Sequence, residues 1–346
     1  MKKVLIGILI ILSLAIPTAA MEITAPKVPG SGSDVMPHNT ESFGEGLLEL
    51  AQNAIVMFLP ELKDAGRTCY AVVCVSMLVS VVSLLSVKLQ GPVSIAGVLL
   101  ITSMIWKDTN GMIVYASDTV YEICEYGKLL CPVLTTALAA QGGITTSAAL
   151  YTGTTAFISL LCMLINRLIV PMVYLFLTFS IVHCTLDEET MKRIADTEKS
   201  LLSWLLKTVL VVFTTYLSIT GVVSGTTDAA ALKAAKVTFS SAVPVVGGIL
   251  SDASESVLVG IGILKNAAGI YGILAVLAML VGPFVKVGAQ YMMLKVTAAI
   301  CSILGNKKIT VLVESFSTSM GMLLGMVASG GMLILISTVC FLRGVN

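Results

Sequence analysis

Lys286 and Gln290 are two side chains of this sequence whose types and spacing could belong to a functional site. They lie four residues apart inside an apolar run, so one helical turn brings both to the same face. Ionisable groups are costly in lipid and are found there mainly where they act, so this pair is predicted to line a polar path or to contact a partner. The alternative is that Lys286 extends along its aliphatic stem to the membrane surface.

Motifs for hydrolytic or metal chemistry are absent from the sequence. The two histidines, His38 and His183, exclude an H-E-x-x-H zinc motif, and neither a nucleophile elbow nor a phosphate-binding loop occurs. The eight cysteines include no C-x-x-C pair. Cys124 and Cys131 flank a polar stretch and could form a disulfide in an oxidising compartment. We therefore predict no catalytic residues, no cofactor and no metal site.

The overall composition is that of a protein embedded in a lipid bilayer. Hydrophobic residues make up 56% of the 346 residues and charged residues only 12%. A soluble domain carries about 25% charged residues, and a soluble fold of this length could not be covered with so few. The 21 basic and 20 acidic residues nearly cancel, which gives no sign of a nucleic-acid partner.

Apolar runs that could cross a bilayer recur along most of the chain, and lipid forces such runs into helices. We predict an all-α, polytopic transmembrane helical protein with about six to ten spans. Residues 147–184 are interpreted as a hairpin that turns near Arg167, with a kink at Pro171. The run 268–304 is expected to form two helices or one helix kinked at Pro283. The runs lie near 69–87, 92–106, 129–141, 147–166, 168–184, 202–223, 268–304 and 319–342.

The N-terminal region is predicted to be exported. Residues 1–20 have a basic end, an apolar stretch and small residues before the expected cleavage point, which is typical of a signal peptide. An uncleaved anchor helix is the alternative. Residues 21–66 are predicted to form a linker and an amphipathic helix that stops at Pro60, and residues 67–346 the multi-span membrane domain.

Proline spacing suggests an internal repeat. Pro132 and Pro171 are separated by the same number of residues as Pro244 and Pro283. This pattern predicts two units, about 92–203 and 204–315, with amphipathic interfacial segments between spans. If each unit contributes an odd number of spans, the two units have opposite orientations, as in many transport proteins. Coincidence is the alternative, because the side chains of the two halves differ.

Residues 220–255 form the most polar segment in the second half of the chain. Irregular backbone at membrane depth persists only where it is buried in protein or lines water, so this segment is a candidate for a pore or a partner contact. Small residues at helical spacing also occur and are expected to pack helices, either within the fold or between subunits. The candidate contact residues are Asp228, Lys233, Lys236, Pro244, Gly247 and Gly248, and the packing residues are Gly221, Gly225, Gly321 and Gly325.

The segment SGTTDAAALKAAKVTFSSAVPVVGGILSDASESVL, residues 224–258, resembles the stage III sporulation protein AE family of endospore-forming bacteria. The export signal and the order of the apolar runs fit the same family. The resemblance implies a location in the mother-cell membrane around the forespore. It also implies partners, namely other stage III A operon membrane proteins, their ATPase and a forespore-side channel protein. The family has no established catalytic residues, so none are transferred to this chain.

Three functions follow from these observations. The first is a non-enzymatic membrane subunit of a mother-cell-to-forespore channel or secretion-like complex, which could also form a homo-oligomer. The alternative is a stand-alone secondary transporter of a small solute, suggested by the repeat and the broken helices. A proton-coupled carrier would need an acidic relay, and none is evident beside Lys286. An intramembrane enzyme lacks paired carboxylates or a nucleophile with its base.

Overall fold

The computed structural model describes residues 26–37, 43–85, 90–242 and 247–343, without the side chains of Ser31 and of residues 220–266. Every regular element in this part of the chain is helical, which confirms the predicted all-α class. After a single turn at Gly30–Ser33, the helices are α1 (Phe43–Leu85), α2 (Gln90–Ala140), α3 (Ile144–Leu164), α4 (Val170–Leu186), α5 (Glu189–Ala242), α6 (Gly247–Ile303) and α7 (Lys307–Arg343). The predicted signal peptide lies outside the described residues.

Six stretches of helix are long and apolar enough to cross a bilayer, in agreement with the lower bound of the prediction. Several of them exceed what one crossing needs. The 51 residues of α2 extend over about 77 Å, whereas the hydrocarbon core of a bilayer is about 30 Å thick. The six stretches are Phe43–Leu85, Gln90–Ala140, Ile144–Leu186, Glu189–Ile219, Ala267–Ile303 and Lys307–Leu342.

The hairpin expected at 147–184 is wrong, because the helix is continuous from Ile144 to Leu186. A π-helical turn, Ile165–Ile169, joins α3 to α4, and the backbone N–H of Val170 donates to the carbonyl of Ile165. Pro171 lies in the first turn of α4. A proline has no N–H to donate, and the wider π turn accommodates the missing bond without reversing the chain.

Other prolines also lie inside uninterrupted helices. Helix α1 continues through Pro60, so the prediction that the N-terminal helix stops there is wrong. Helix α6 continues through Pro283, which leaves one helix rather than two in the run 268–304. Pro132 lies within α2. This single helix unites the apolar run at 92–106, the weak run at 129–141 and the amphipathic stretch between them. An interior proline costs about 3 kcal/mol, which the packing of long neighbouring helices can offset.

Helix α2 lies at the centre of the bundle and packs against α1, α3, α6 and α7. Its Ile105, Ile113 and Ile123 side chains are fully buried in the main core. Helices α6 and α7 form the most extensive pair, and Gly305 reverses the chain between them with φ +77°. Such a positive φ is strained for residues other than glycine.

The segment before α1 is packed against the bundle. Val35 is 2% exposed and lies in a small cluster with Leu50, Leu274 and Ala278. The Asn53 amide nitrogen donates to the Val35 carbonyl oxygen at 3.4 Å. Residues 26–37 are therefore held between α1 and α6, where the sequence suggested only a linker.

Candidate functional site

Lys286 points from α6 towards α2 inside the bundle. Its Nζ atom lies 5.1 Å from the centroid of the Tyr115 ring, within the range of a cation–π interaction. The side chain is half-buried, and about 26 Å of helix separates it from the end of α6 at Ile303. The ammonium group therefore lies against an aromatic ring of the bundle rather than at the end of its own helix.

Gln290 follows Lys286 by one helical turn and is 2% exposed. Its Nε2 atom has no hydrogen-bond partner among the described residues. Thr109 on α2 is fully buried, and its hydroxyl also lacks a partner there. An unsatisfied buried polar group costs about 1–3 kcal/mol, so these two side chains mark places where water or a polar ligand would be stabilised.

The face of α1 towards α2 adds a hydroxyl–carboxylate contact. Thr68 Oγ1 donates a hydrogen bond of 2.6 Å to Asp108 Oδ2, and the pair is partly buried. The Cys69 thiol, next in sequence, is within hydrogen-bonding reach of the Thr297 hydroxyl on α6. Polar side chains therefore connect all three helices where α1, α2 and α6 meet.

We call this set the polar seam, defined by Thr68, Asp108, Thr109, Tyr115, Lys286 and Gln290. It carries one carboxylate and one ammonium group, and neither belongs to an ion pair within the part of the chain that the structure describes. The seam offers donors and acceptors to a polar species and contains no histidine. No cluster of metal-binding side chains occurs among the described residues either.

The seam residues on α1 and α2 were not identified from the sequence. The sequence does carry a signal for them, the polar run Lys107, Asp108, Thr109 and Asn110 directly after an apolar run. On the sequence alone, this polar run predicts the end of a span. The structure places this run inside α2. There Asn110 also accepts a hydrogen bond of 2.7 Å from the Tyr174 hydroxyl of α4.

Arg167 does not lie at a turn between two helices. It is exposed within the π-helical segment, and the adjacent Asn166 accepts a hydrogen bond of 3.2 Å from the Ser117 hydroxyl of α2. Asn166, next to the residue predicted to lie at a turn, therefore anchors one continuous helix to α2.

The candidate role of the polar segment at residues 220–255 stays a prediction. Helices α5 and α6 include most of it, but its side chains lie outside the described residues. The same holds for both residues of the first glycine pair. The affected positions are Gly221, Gly225, Asp228, Lys233, Lys236, Gly247 and Gly248, together with the whole of Pro244.

The second glycine pair has two different environments. A Cβ atom added at Gly321 would lie 3.4 Å from the Tyr291 ring of α6, whereas nothing lies within 4 Å of one added at Gly325. Gly325 is exposed and does not bring two helices close together. Gly331, by contrast, lies where α6 and α7 pack closely, because an added Cβ would meet Leu280 at 2.6 Å.

Cys124 and Cys131 are both buried and free. They lie seven residues apart on α2, which is about 10 Å along the helix axis. A disulfide requires Cα atoms about 4.4–6.8 Å apart, so the suggested pairing is wrong.

Comparisons with known proteins agree with the resemblance seen in the sequence. The family model described as stage III sporulation protein AE matches residues 39–343, a range that contains the whole polar seam. A protein of Bacillus subtilis (strain 168) with that name is 25% identical over 205 residues, which cover 59% of this chain and 51% of the relative. The chain therefore matches about half the length of this relative. No solved structure matches.

Proposed function

Because the chain belongs to the stage III sporulation protein AE family, we propose that it is a non-enzymatic membrane subunit of a channel or secretion-like complex needed for endospore formation. The complex would connect the mother cell with the forespore, and this subunit would lie in the mother-cell membrane around the forespore. Its partners would be other stage III A operon membrane proteins, their ATPase and a forespore-side channel protein.

The observation that carries the proposal is the polar seam inside a bundle of apolar helices. Gln290 and Thr109 are buried without hydrogen-bond partners in the described structure, and Lys286, one helical turn before Gln290, lies over the Tyr115 ring. Natural cores usually satisfy such groups or replace them with apolar ones, so their retention favours a polar path or a gate over a purely structural role.

A role without catalysis is consistent with the same residues. The seam contains no histidine, and the sequence contains no phosphate-binding loop. Energy for transfer would therefore come from the partner ATPase. The subunit would contribute the membrane passage or the platform on which other subunits assemble.

Affinity purification from sporulating cells, combined with a forespore gene-expression reporter, tests the proposal. The tagged wild-type chain should retain the operon partners. A Lys286→Met variant should retain them as well and lower the reporter signal, whereas Lys207→Met, which changes an exposed lysine of α5, should leave both unchanged. Purification of the wild-type chain without any of these partners would overturn the proposal.

The stand-alone transporter is less well supported by the fold. It was suggested by broken helices at Pro171 and Pro283, and both prolines lie within continuous helical stretches. The inverted repeat stays a prediction. Solute uptake by vesicles that contain only this protein would favour the transporter over the complex subunit.

A further inference from the structure

A pocket opens at the end of the bundle where α1 ends and both α2 and α7 begin. Its volume is about 590 Å³, and it is lined by the last turns of α1, the first turns of α2 and the connection between α6 and α7. This pocket is separate from the polar seam and shares no residue with it. The polar side chains that matter are Ser83, Gln90, Ser94, Asn306, Lys307 and Lys308.

The charge of the pocket is positive. Lys307 and Lys308 line it, and no carboxylate is among the described lining residues. Lys308 Nζ lies 3.5 Å from Asp187 Oδ2 in the connection between α4 and α5, so half of the positive charge is offset. Lys307 is exposed and belongs to no ion pair in the described part of the chain.

The backbone adds donors on the same side. Asn306 precedes α7, and its side-chain oxygen accepts a hydrogen bond of 3.4 Å from the Ile309 N–H. The amides of Lys307 and Lys308 come before that bond and have no acceptor inside the helix. Amides at the start of a helix together with ammonium groups are the donor set that binds phosphate oxygens.

The pocket has an apolar rim, which favours a lipid over a free anion as its ligand. Leu84 lines the pocket and is 87% exposed, and its neighbour Leu85 is 80% exposed. Ile303, at the end of α6 beside the pocket, is 86% exposed. Three large aliphatic side chains beside a basic cavity suit an amphiphile, whose acyl chains would cover the rim while its headgroup enters the cavity.

We propose that this pocket binds the phosphate-bearing headgroup of an anionic phospholipid, with the acyl chains lying over Leu84, Leu85 and Ile303. The site is independent of the proposed role in a channel complex. It would hold this end of the bundle at the headgroup level of the leaflet with the negative surface potential, which attracts lysines near the membrane.

Native mass spectrometry of the full-length chain in detergent tests the site. The probes are phosphatidylglycerol, phosphatidylcholine and free glycerol 3-phosphate at equal concentrations. We expect phosphatidylglycerol to bind at least tenfold more tightly than either of the others. The K307Q/K308Q double variant should lose about thirtyfold in phosphatidylglycerol affinity. The loss of either lysine should weaken binding by a similar factor, and the two factors multiply.

The matched control is Asp187→Asn, which removes the ion pair of Lys308 and leaves both lysines in place. It should bind phosphatidylglycerol as well as the wild type or better, which separates loss of the lysines from loss of the ion pair. Equal binding of phosphatidylcholine and phosphatidylglycerol by the wild type would overturn the proposal. Equal binding of glycerol 3-phosphate and lipid would replace the lipid with a soluble phosphorylated ligand and would also overturn it. These wild-type comparisons decide the matter even if the double variant does not fold.

Discussion

The ammonium group of Lys286 lies 5.1 Å from the centre of the Tyr115 ring, which joins α6 to the middle of α2. The two residues are far apart in the sequence, and the contact forms only when the helices pack. It places a cation one helical turn from Gln290, whose buried amide nitrogen lacks a hydrogen-bond partner in the described part of the chain.

Lys286 and Tyr115 should be energetically coupled. A double-mutant cycle of Lys286→Met and Tyr115→Leu should give a coupling free energy of about 0.5–2 kcal/mol, the range for cation–π pairs. Unfolding of the protein by denaturant in detergent micelles measures it. Tyr115→Phe, which retains the ring, should keep most of the coupling. Strictly additive effects would show that the contact contributes nothing.

Replacing Gln290 with leucine should stabilise the protein and impair its function. The substitution removes a buried amide nitrogen without a partner, so the free energy of unfolding should rise by about 1–2 kcal/mol. If the seam conducts or gates a polar species, the same variant should lower forespore reporter expression. Thr338→Val is the control, because this buried hydroxyl is bonded to the Ile334 carbonyl outside the seam. Full reporter activity in the Gln290 variant would argue against a functional seam.

Gly331 and Gly325 should respond in opposite ways to alanine. A Cβ at residue 331 would meet Leu280 Cδ1 at 2.6 Å and its Cγ at 3.1 Å, so Gly331→Ala should cost about 1–3 kcal/mol. A Cβ at residue 325 meets nothing within 4 Å, and Gly325→Ala should stabilise the helix by about 0.5–1 kcal/mol. Thermal unfolding of the two variants in the same detergent tests the contrast. A larger loss of stability at residue 325 would contradict the packing of α6 on α7.

Thr68→Val should destabilise the protein by about 1.5–3 kcal/mol, because it removes the donor to the Asp108 carboxylate without changing the shape of the side chain. Thr208→Val is a matched control on α5, where the exposed hydroxyl bonds only to the Trp204 carbonyl of its own helix. Denaturant unfolding of both variants gives the comparison. Similar stability in the two would show that the Thr68–Asp108 bond is not important for the fold.

Local rules were sufficient for some features of this protein. Membrane-spanning helices, about six to ten of them, could be predicted because lipid provides no partners for backbone groups and leaves long apolar runs no other structure. Lys286 and Gln290 could be selected for the same reason, since a cation and an amide in an apolar run are costly unless they are used. Each of these inferences needs only residues that are close together in the chain.

The course of the helices could not be predicted in the same way. Pro60 was expected to stop a helix and the region of Pro171 to reverse the chain, yet both prolines lie within continuous helical stretches. The two helices considered for the run around Pro283 are one. A proline removes one backbone hydrogen bond, and packing against neighbouring helices decides whether that loss breaks the helix. The sequence by itself therefore determined that the chain is a set of membrane helices and that Lys286 and Gln290 lie within one of them. Only the tertiary structure decided that Tyr115 faces Lys286 and that Asp108 is bonded to Thr68, because residues so distant in the chain meet only when the helices pack.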